Sequence, residues 1–245
     1  DVTYVTNIDV HTNPALLASH KAFLSLGHDE YWTWEMRHNL EQARDRGMHL
    51  GIFSSNTCYW QMRLEPGTVT GEPNRTMVAY KENTPWHDPF STDNDPANDH
   101  LVTTRWRNAP VNRPEAGLLG SMFIEVDHPV DSDYVIENVE PWVLANTGLS
   151  NGASLPGMAG YEVDGLSASS PAGTIVVARM PDGQAPGAVT LYRAASGALV
   201  FSSGSMQWSW GLDDYQAPHL RKSVLNPEVQ QMTRNILARF TRSHD

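Results

Sequence analysis

The amino-acid sequence predicts an α/β fold, with a mostly parallel sheet that carries helices on both faces. First, a strand, a helix and a strand follow one another with short connections, which is typical of parallel strands joined by a crossover helix. These segments are Lys21–Leu26, Trp32–Arg46 and His49–Ser54. Second, 18 glycines, 16 prolines and only 18% charged residues favour turns and strands over a helical bundle. Third, apolar residues recur at helical spacing from Val229 to Phe240, which predicts a C-terminal helix.

The elements at the two ends of the chain follow from local signals. Val2–Thr6 is short and β-branched, which predicts a strand. Asn13 followed by Pro14 predicts the start of a short helix. Gly47 predicts the end of the helix that begins at Trp32. Near the C terminus we expect three strands, the last two forming a hairpin, at Thr174–Arg179, Ala188–Tyr192 and Leu199–Ser203.

The pattern weakens between residues 66 and 160, which predicts a loop-rich, β-containing insertion. Short strands are expected there at Thr76–Lys81, Leu101–Trp106 and Trp142–Asn146. The stretch 87–100 is polar and broken by proline, so we expect a long surface loop or lid.

Composition excludes several classes of protein. The net charge is −11 and the basic residues are scattered, so a nucleic-acid surface is not expected. No apolar run approaches the length of a membrane span. Cys58 is the only cysteine, which excludes an internal disulfide and a cysteine-based zinc site. Because the chain starts without Met at an apparent strand, we expect one domain, residues 1–245, of a longer multidomain chain, with the N-terminal part of its fold upstream. The composition does not indicate the cellular compartment of the protein.

Polar and aromatic residues are concentrated where two predicted strands end. His28, Asp29 and Glu30 follow the first strand, and Asn56 follows the strand at His49–Ser54. Since ligands bind at the carboxyl ends of parallel strands, we expect these side chains to meet at one edge of the sheet. The alternative interpretation is that the neighbouring tyrosines and tryptophans pack the edge and the carboxylates favour the helix dipole.

Familiar catalytic patterns are absent from the sequence. A lone cysteine such as Cys58 is usually inert packing, and no Gly-x-Ser-x-Gly elbow surrounds Ser54 or Ser55. No His-Glu-x-x-His pattern occurs, which excludes a typical zinc peptidase. His28 and Glu30 could ligate a metal or act as bases, and Glu162 adds a carboxylate after a glycine-rich approach.

Several segments resemble, in order along nearly the whole chain, the large-subunit family of N,N-dimethylformamidase. The segments are Leu26–Met36, Leu50–Trp60, Gly157–Leu166 and Phe201–Leu212, followed by the last helix. The resemblance is greatest to a bacterial branch in which this module accompanies secreted or surface-associated domains. It implies a glutamine-amidotransferase-like (flavodoxin-like) fold without cysteine chemistry.

The resemblance also implies a mononuclear iron, held by two tyrosinates and one glutamate, that hydrolyses a small-molecule amide; another divalent metal is the alternative. Hard phenolate and carboxylate oxygens suit such an ion. Carried onto this sequence, the ligand candidates are Tyr31, Tyr59 and Glu162, with Tyr80 and Glu140 as rivals. The acid–base candidates are His28, Glu30 and Asn56.

Two departures from the family pattern bear on the substrate. His28-Asp29-Glu30 stands where the amidase branch more often has His-Pro-Glu, and Ser55-Asn56-Thr57 stands where it has Gly-Asn-Gly. The alternative function is a non-catalytic or carbohydrate-binding module that stacks sugar on Trp208 and Trp210. A third interpretation is a subunit that needs a small partner or self-association.

Overall fold

The computed structural model describes residues 1–125, 132–137, 139–181 and 186–242. The strands are β1 Ala22–Gly27, β2 Tyr31–Thr33, β3 His49–Ser54, β4 Trp60–Glu65, β5 Thr76–Val78, β6 Met122–Phe123, β7 Ser132–Ile136, β8 Ser154–Ala159, β9 Asp164–Gly165, β10 Ile175–Arg179, β11 Ala188–Arg193 and β12 Leu199–Ser202. The α-helices are α1 Asn7–Thr12, α2 Trp34–Asp45, α3 Thr84–His87, α4 Pro89–Thr92, α5 Ala116–Leu119 and α6 Pro227–Thr241. Short 3₁₀ helices occur at Pro14–Ser19, Lys81–Asn83, Asp99–Leu101 and Met206–Gly211.

The main sheet has seven strands in the order β1-β3-β12-β11-β10-β7-β8. Strand β3 pairs in parallel with both β1 and β12, and the remaining four pairings are antiparallel. The α/β class is therefore confirmed, but the sheet is mixed. The expected parallel arrangement holds where the helix α2 crosses over between β1 and β3, whereas the tight β11–β12 hairpin makes its two strands antiparallel.

Helices cover both faces of this sheet, as predicted. Because side chains alternate along a strand, Leu50 and Ile52 of β3 pack on the side of α2, and Phe53 packs on the side of α6. Helix α6 begins where expected, since the Asn226 side chain accepts hydrogen bonds from the backbone N–H groups of Glu228 and Val229.

Three predicted strands are wrong. Val2–Thr6 forms no ladder, and Val2 and Tyr4 are 77% and 90% exposed, because no strand lies alongside them. Leu101–Trp106 is irregular except for a single antiparallel bridge between Arg105 and Trp60 of β4, and Val102 and Trp106 are buried. Trp142–Asn146 is a series of turns. The predicted strand at Thr76–Lys81 is shorter, β5.

The predicted loop at 87–100 includes the short helix α4, and Asp88 is fully buried. Its carboxylate accepts hydrogen bonds from Arg63 at 2.9 Å, a pairing that the sequence pattern does not show. Within the predicted insertion 66–160, residues 126–131 and 138 lie outside the described residues. Among the described residues, no helix has the length and apolarity needed to cross a membrane.

Candidate functional site

The turns that follow β1 and β3 lie side by side. Gly27 and Ser54, the last residues of the two strands, are in register. Beyond them the Cys58 N–H donates to the Asp29 carbonyl at 2.9 Å, and the Tyr59 N–H donates to the Glu30 carbonyl at 2.9 Å. The expectation that both polar segments emerge at one edge of the sheet is therefore confirmed.

Four side chains form a group at this edge, which we call the polar cluster: His28, Glu30, Asn56 and Glu162. His28 Nε2 lies 2.9 Å from Glu162 Oε2 and 3.9 Å from Glu30 Oε2. The Asn56 side-chain amide donates to Glu30 Oε1 at 3.4 Å. The hydrogen bond to Glu162 and the negative charge of the nearby carboxylates raise the pKa of His28. The structure thus brings together the three predicted acid–base candidates and one predicted metal ligand.

Asp164 contacts the polar cluster through the backbone of Asn56 and was not among the predicted site residues. Its carboxylate is buried, and Oδ1 accepts a hydrogen bond from the Asn56 backbone N–H at 2.8 Å. Burial raises the pKa of Asp164 to about 7. The only signal in the sequence was its position two residues after Glu162.

Unpaired polar atoms surround Asn56. Leaving aside Glu162 Oε2, which pairs with His28, four buried side-chain oxygens near this turn have no hydrogen-bond partner in the described part of the chain: Ser55 Oγ, Asn56 Oδ1, Thr57 Oγ1 and Asp164 Oδ2. Leaving such atoms unpaired costs about 1–3 kcal/mol each. A fold retains them where a water, an ion or a ligand completes their bonding.

Left-handed backbone conformations are found in the same place. Asn56 and Cys58 have φ values of 51° and 56°, Lys81 has 57° and Tyr161 has 60°. Non-glycine residues adopt this conformation at a cost, and such residues concentrate at functional sites. Two of the segments that meet at the polar cluster, residues 55–58 and 161–164, therefore combine unpaired polar groups with strained backbone.

Of the two predicted tyrosine ligands, Tyr31 begins β2, and Tyr59 directly precedes the neighbouring strand β4. Tyr31 lies beneath the Lys81 ammonium, 4.9 Å from its ring centroid. The Tyr59 hydroxyl donates to Glu125 Oε1 at 2.8 Å, and the Arg105 and Arg107 guanidinium groups lie 5.3 and 5.2 Å from its ring. Burial and the bond to Glu125 raise the pKa of Tyr59. The contacts of Tyr59 are thus with Glu125 and two arginines, whereas Glu162 contacts His28.

The rival ligands have other contacts. The Tyr80 backbone N–H donates to Thr103 Oγ1 at 3.0 Å. Glu140 accepts a hydrogen bond from the indole of Trp142, whose ring lies 5.7 Å from the Arg239 guanidinium of α6. Glu140 therefore belongs to packing against the C-terminal helix.

The other chemical possibilities in the sequence are a cysteine nucleophile, a sugar-binding surface and a metal site made of His, Cys, Asp or Glu. Cys58 is buried, and burial raises the pKa of its thiol, so it is unsuited to act as a nucleophile. Trp208 is fully buried and its indole donates to Thr233 Oγ1, so it cannot stack on a sugar. No group of three His, Cys, Asp or Glu side chains that could hold a metal occurs among residues 1–125, 132–137, 139–181 and 186–242. A metal site there would need tyrosine oxygens as well, and phenolate and carboxylate oxygens are donors that fit iron.

Comparison with known proteins yields one family. The family model described as N,N-dimethylformamidase beta subunit-like, C-terminal, matches residues 1–221, which include the whole polar cluster. No curated protein matches the chain. The resemblance drawn from the sequence segments is confirmed at the level of the family.

Proposed function

The chain belongs to the N,N-dimethylformamidase beta subunit-like family, and we propose that it hydrolyses the carbon–nitrogen bond of a small linear amide at the polar cluster. The observation that carries this proposal is the 2.9 Å pair of His28 and Glu162 beside Glu30, at the carboxyl edge of two parallel strands. Ligands of α/β sheets bind at this edge. A domain with a purely structural role would gain nothing from leaving the buried oxygens around Asn56 without hydrogen-bond partners.

The polar cluster contains the groups that amide hydrolysis requires. A general base must take a proton from water, and a general acid must protonate the departing amine. Glu162 favours the protonated form of His28, which suits His28 to the acid role. Glu30 is held by the Asn56 amide at 3.4 Å and is suited to the base role. Asn56 thus orients the base.

We propose that iron is held by Tyr31, Tyr59 and Glu162, as the resemblance implies, with another divalent metal as the alternative. A bound metal of this kind would polarise the amide carbonyl. Positive charge beside the rings, from Lys81 near Tyr31 and from Arg105 near Tyr59, supports the proposal because it compensates negative phenolate oxygens. The bond from the Tyr59 hydroxyl to Glu125 would have to give way to the metal.

The proposed function also implies a fold family and a possible assembly. The three parallel strands β1, β3 and β12, with helices on opposite faces, support the glutamine-amidotransferase-like fold that the resemblance implies. A requirement for a small partner subunit or for self-association stays a prediction, which size-exclusion chromatography of the purified protein tests.

The decisive experiment measures amine release and metal content on the same preparations. We expect the purified protein to release dimethylamine from N,N-dimethylformamide, and we expect Glu162→Gln to abolish this activity. Glu140→Gln is the matched control, because its carboxylate contacts Trp142 outside the polar cluster. Hydrolysis of neither N,N-dimethylformamide nor other linear amides would refute the proposed function.

Metal content tests the ligand set separately. Tyr31→Phe, Tyr59→Phe and Glu162→Gln should each lower the iron bound per chain, whereas Tyr80→Phe should not. Full iron occupancy in Tyr59→Phe would remove Tyr59 from the set, and loss of iron in Glu30→Gln would add Glu30 as a ligand.

A further inference from the structure

Tyr161 occupies the apex of a tight turn in which Gly160 and Glu162 form an antiparallel bridge. Its φ of 60° lies in the left-handed region, which is unfavourable for a side chain of this size. Glycine adopts this conformation without strain, and the same segment has glycine at positions 157, 160 and 165. The apex nevertheless carries a tyrosine.

The turn presents an aromatic ring to solvent next to the proposed chemistry. Tyr161 is 47% exposed, although Glu162, the next residue, has its carboxylate 2.9 Å from His28. The Tyr161 and Trp210 rings lie 5.1 Å apart and meet at 72°. Leu26, 63% exposed, precedes the turn that carries His28. Exposed apolar side chains are therefore adjacent in the chain to the segments that carry His28 and Glu162.

We propose that Tyr161, with Trp210 beside it, determines specificity by forming an aromatic wall for the substrate, and that the substrate is an amide carrying a flat aromatic group. Two rings that meet at 72° form a corner into which a planar ring packs edge to face, the arrangement that aromatic groups prefer. Tyr161 directly precedes Glu162 in the chain, which links this aromatic wall to the residue that contacts His28. The backbone strain is then offset by substrate binding.

This inference rests on the proposed function, because it names the amides that the site would accept. The test compares kcat/KM for formanilide and for N,N-dimethylformamide in the wild type, Tyr161→Phe, Tyr161→Ala and Tyr161→Gly. We expect Ala and Gly to lower kcat/KM for formanilide about three- to tenfold through KM. N,N-dimethylformamide should change less than about twofold, and Phe should preserve both values.

Controls separate the wall from a folding defect. Glycine accepts a φ of 60°, so Tyr161→Gly should keep the thermal midpoint of the wild type. Tyr4→Ala truncates another exposed tyrosine and should alter neither substrate. Equal losses on both substrates, or no loss on formanilide, would overturn the inference.

Direct binding keeps the test independent of turnover. If the wild type hydrolyses neither amide, the proposed function fails, and calorimetric titration of formanilide still tests the wall. We expect binding that Tyr161→Ala weakens about three- to tenfold and Tyr161→Phe retains. Absence of formanilide binding to the wild type, or equal binding by Tyr161→Ala, would overturn the inference.

Discussion

The two ends of the parallel strands β1 and β3 contrast in how their polar groups are satisfied. At the amino end there is a cavity of about 530 Å³, whose lining includes five basic or imidazole side chains: His20, Lys21, Arg46, His49 and Arg242. At the carboxyl end lies the polar cluster. The presence of this cavity would make the amino end a candidate functional site as well.

The polar groups of the amino end are largely matched by the fold. Lys21 Nζ donates to the Thr241 carbonyl at 2.6 Å, and His20 Nδ1 bonds the Leu16 carbonyl at 2.8 Å. His49 Nδ1 accepts from the Leu199 backbone N–H at 2.8 Å. Helices end here, so cations near their last carbonyls are stabilising. No residue lining this cavity has an unpaired buried side-chain atom among the described residues.

At the carboxyl end the fold leaves oxygens of Ser55, Asn56 and Thr57 unpaired and holds Tyr161 in a left-handed conformation. The basic side chains at the amino end therefore form hydrogen bonds that stabilise the fold, whereas the unpaired polar atoms and strained backbone at the carboxyl end lower its stability. Unsatisfied polar groups and strained backbone therefore favour the carboxyl end over the amino-end cavity as the candidate functional site.

The largest expected difference between the two ends is in activity. Removing the partner of His28 with Glu162→Ala should lower kcat/KM for amide hydrolysis at least about 100-fold, since acid–base groups contribute on that scale. Arg46→Met, at the amino-end cavity, should change kcat/KM less than about twofold. Steady-state kinetics on both variants decides the matter. A loss in Arg46→Met equal to that of Glu162→Ala would reverse the comparison.

A second prediction concerns pH. Asp164 binds its proton more tightly in the folded state, with a pKa of about 7 against an ordinary 3.8. Between these values the unfolded chain has released the proton and the folded chain has not, so stability falls as pH rises. The raised pKa of His28 acts in the same direction, because its contribution is present below pH 6.5 and is lost as pH rises through the folded value.

Asp164→Asn should remove the Asp164 contribution. In thermal unfolding with a chelator present, we expect the variant to match the wild type near pH 4 and to exceed it by on the order of 4 kcal/mol at pH 8. The same difference at both pH values would show that the Asp164 carboxyl does not titrate as described.

The fold was predictable where local pattern and tertiary packing agree. His49–Ser54 matches β3 residue for residue because it is a six-residue run buried on both faces. Helix α6 was predictable from the Asn226 cap and its apolar stripe. Strand β8 was missed, since Pro156 and Gly157 interrupt its pattern and its pairing with β7 is a long-range contact.

The site was predictable in composition but not in contacts. His28, Glu30 and Asn56 were candidates because polar residues follow strands that end at one edge, and Glu162 was a candidate because of its glycine-rich approach and the family resemblance. The partner of Tyr59 was not predictable, since Glu125 is 66 residues away. Three-dimensional packing alone reveals that pair.

The third prediction tests the unpaired oxygens. Thr57→Val removes a buried hydroxyl without a partner and keeps the shape, so the free energy of unfolding should rise by about 1 kcal/mol. Chemical denaturation measures this change. The matched control is Thr233→Val, which should lower stability because that hydroxyl donates to the Val229 carbonyl at 2.8 Å. Destabilisation by Thr57→Val would mean that a bound water or ligand satisfies Oγ1.

The smallest effect is expected from Lys21→Met at the amino end. The substitution keeps most of the apolar stem and removes the charge that bonds the Thr241 carbonyl at the end of α6. A cation at a helix C terminus contributes about 0.5 kcal/mol, and salt screens it. Chemical denaturation should therefore show a loss of about 0.5 kcal/mol at low ionic strength that shrinks at high salt. If Lys21→Met raised the free energy of unfolding, as Thr57→Val is expected to do, polar side chains at both ends would lower stability. The contrast between a stabilised amino end and a strained carboxyl end would then no longer hold.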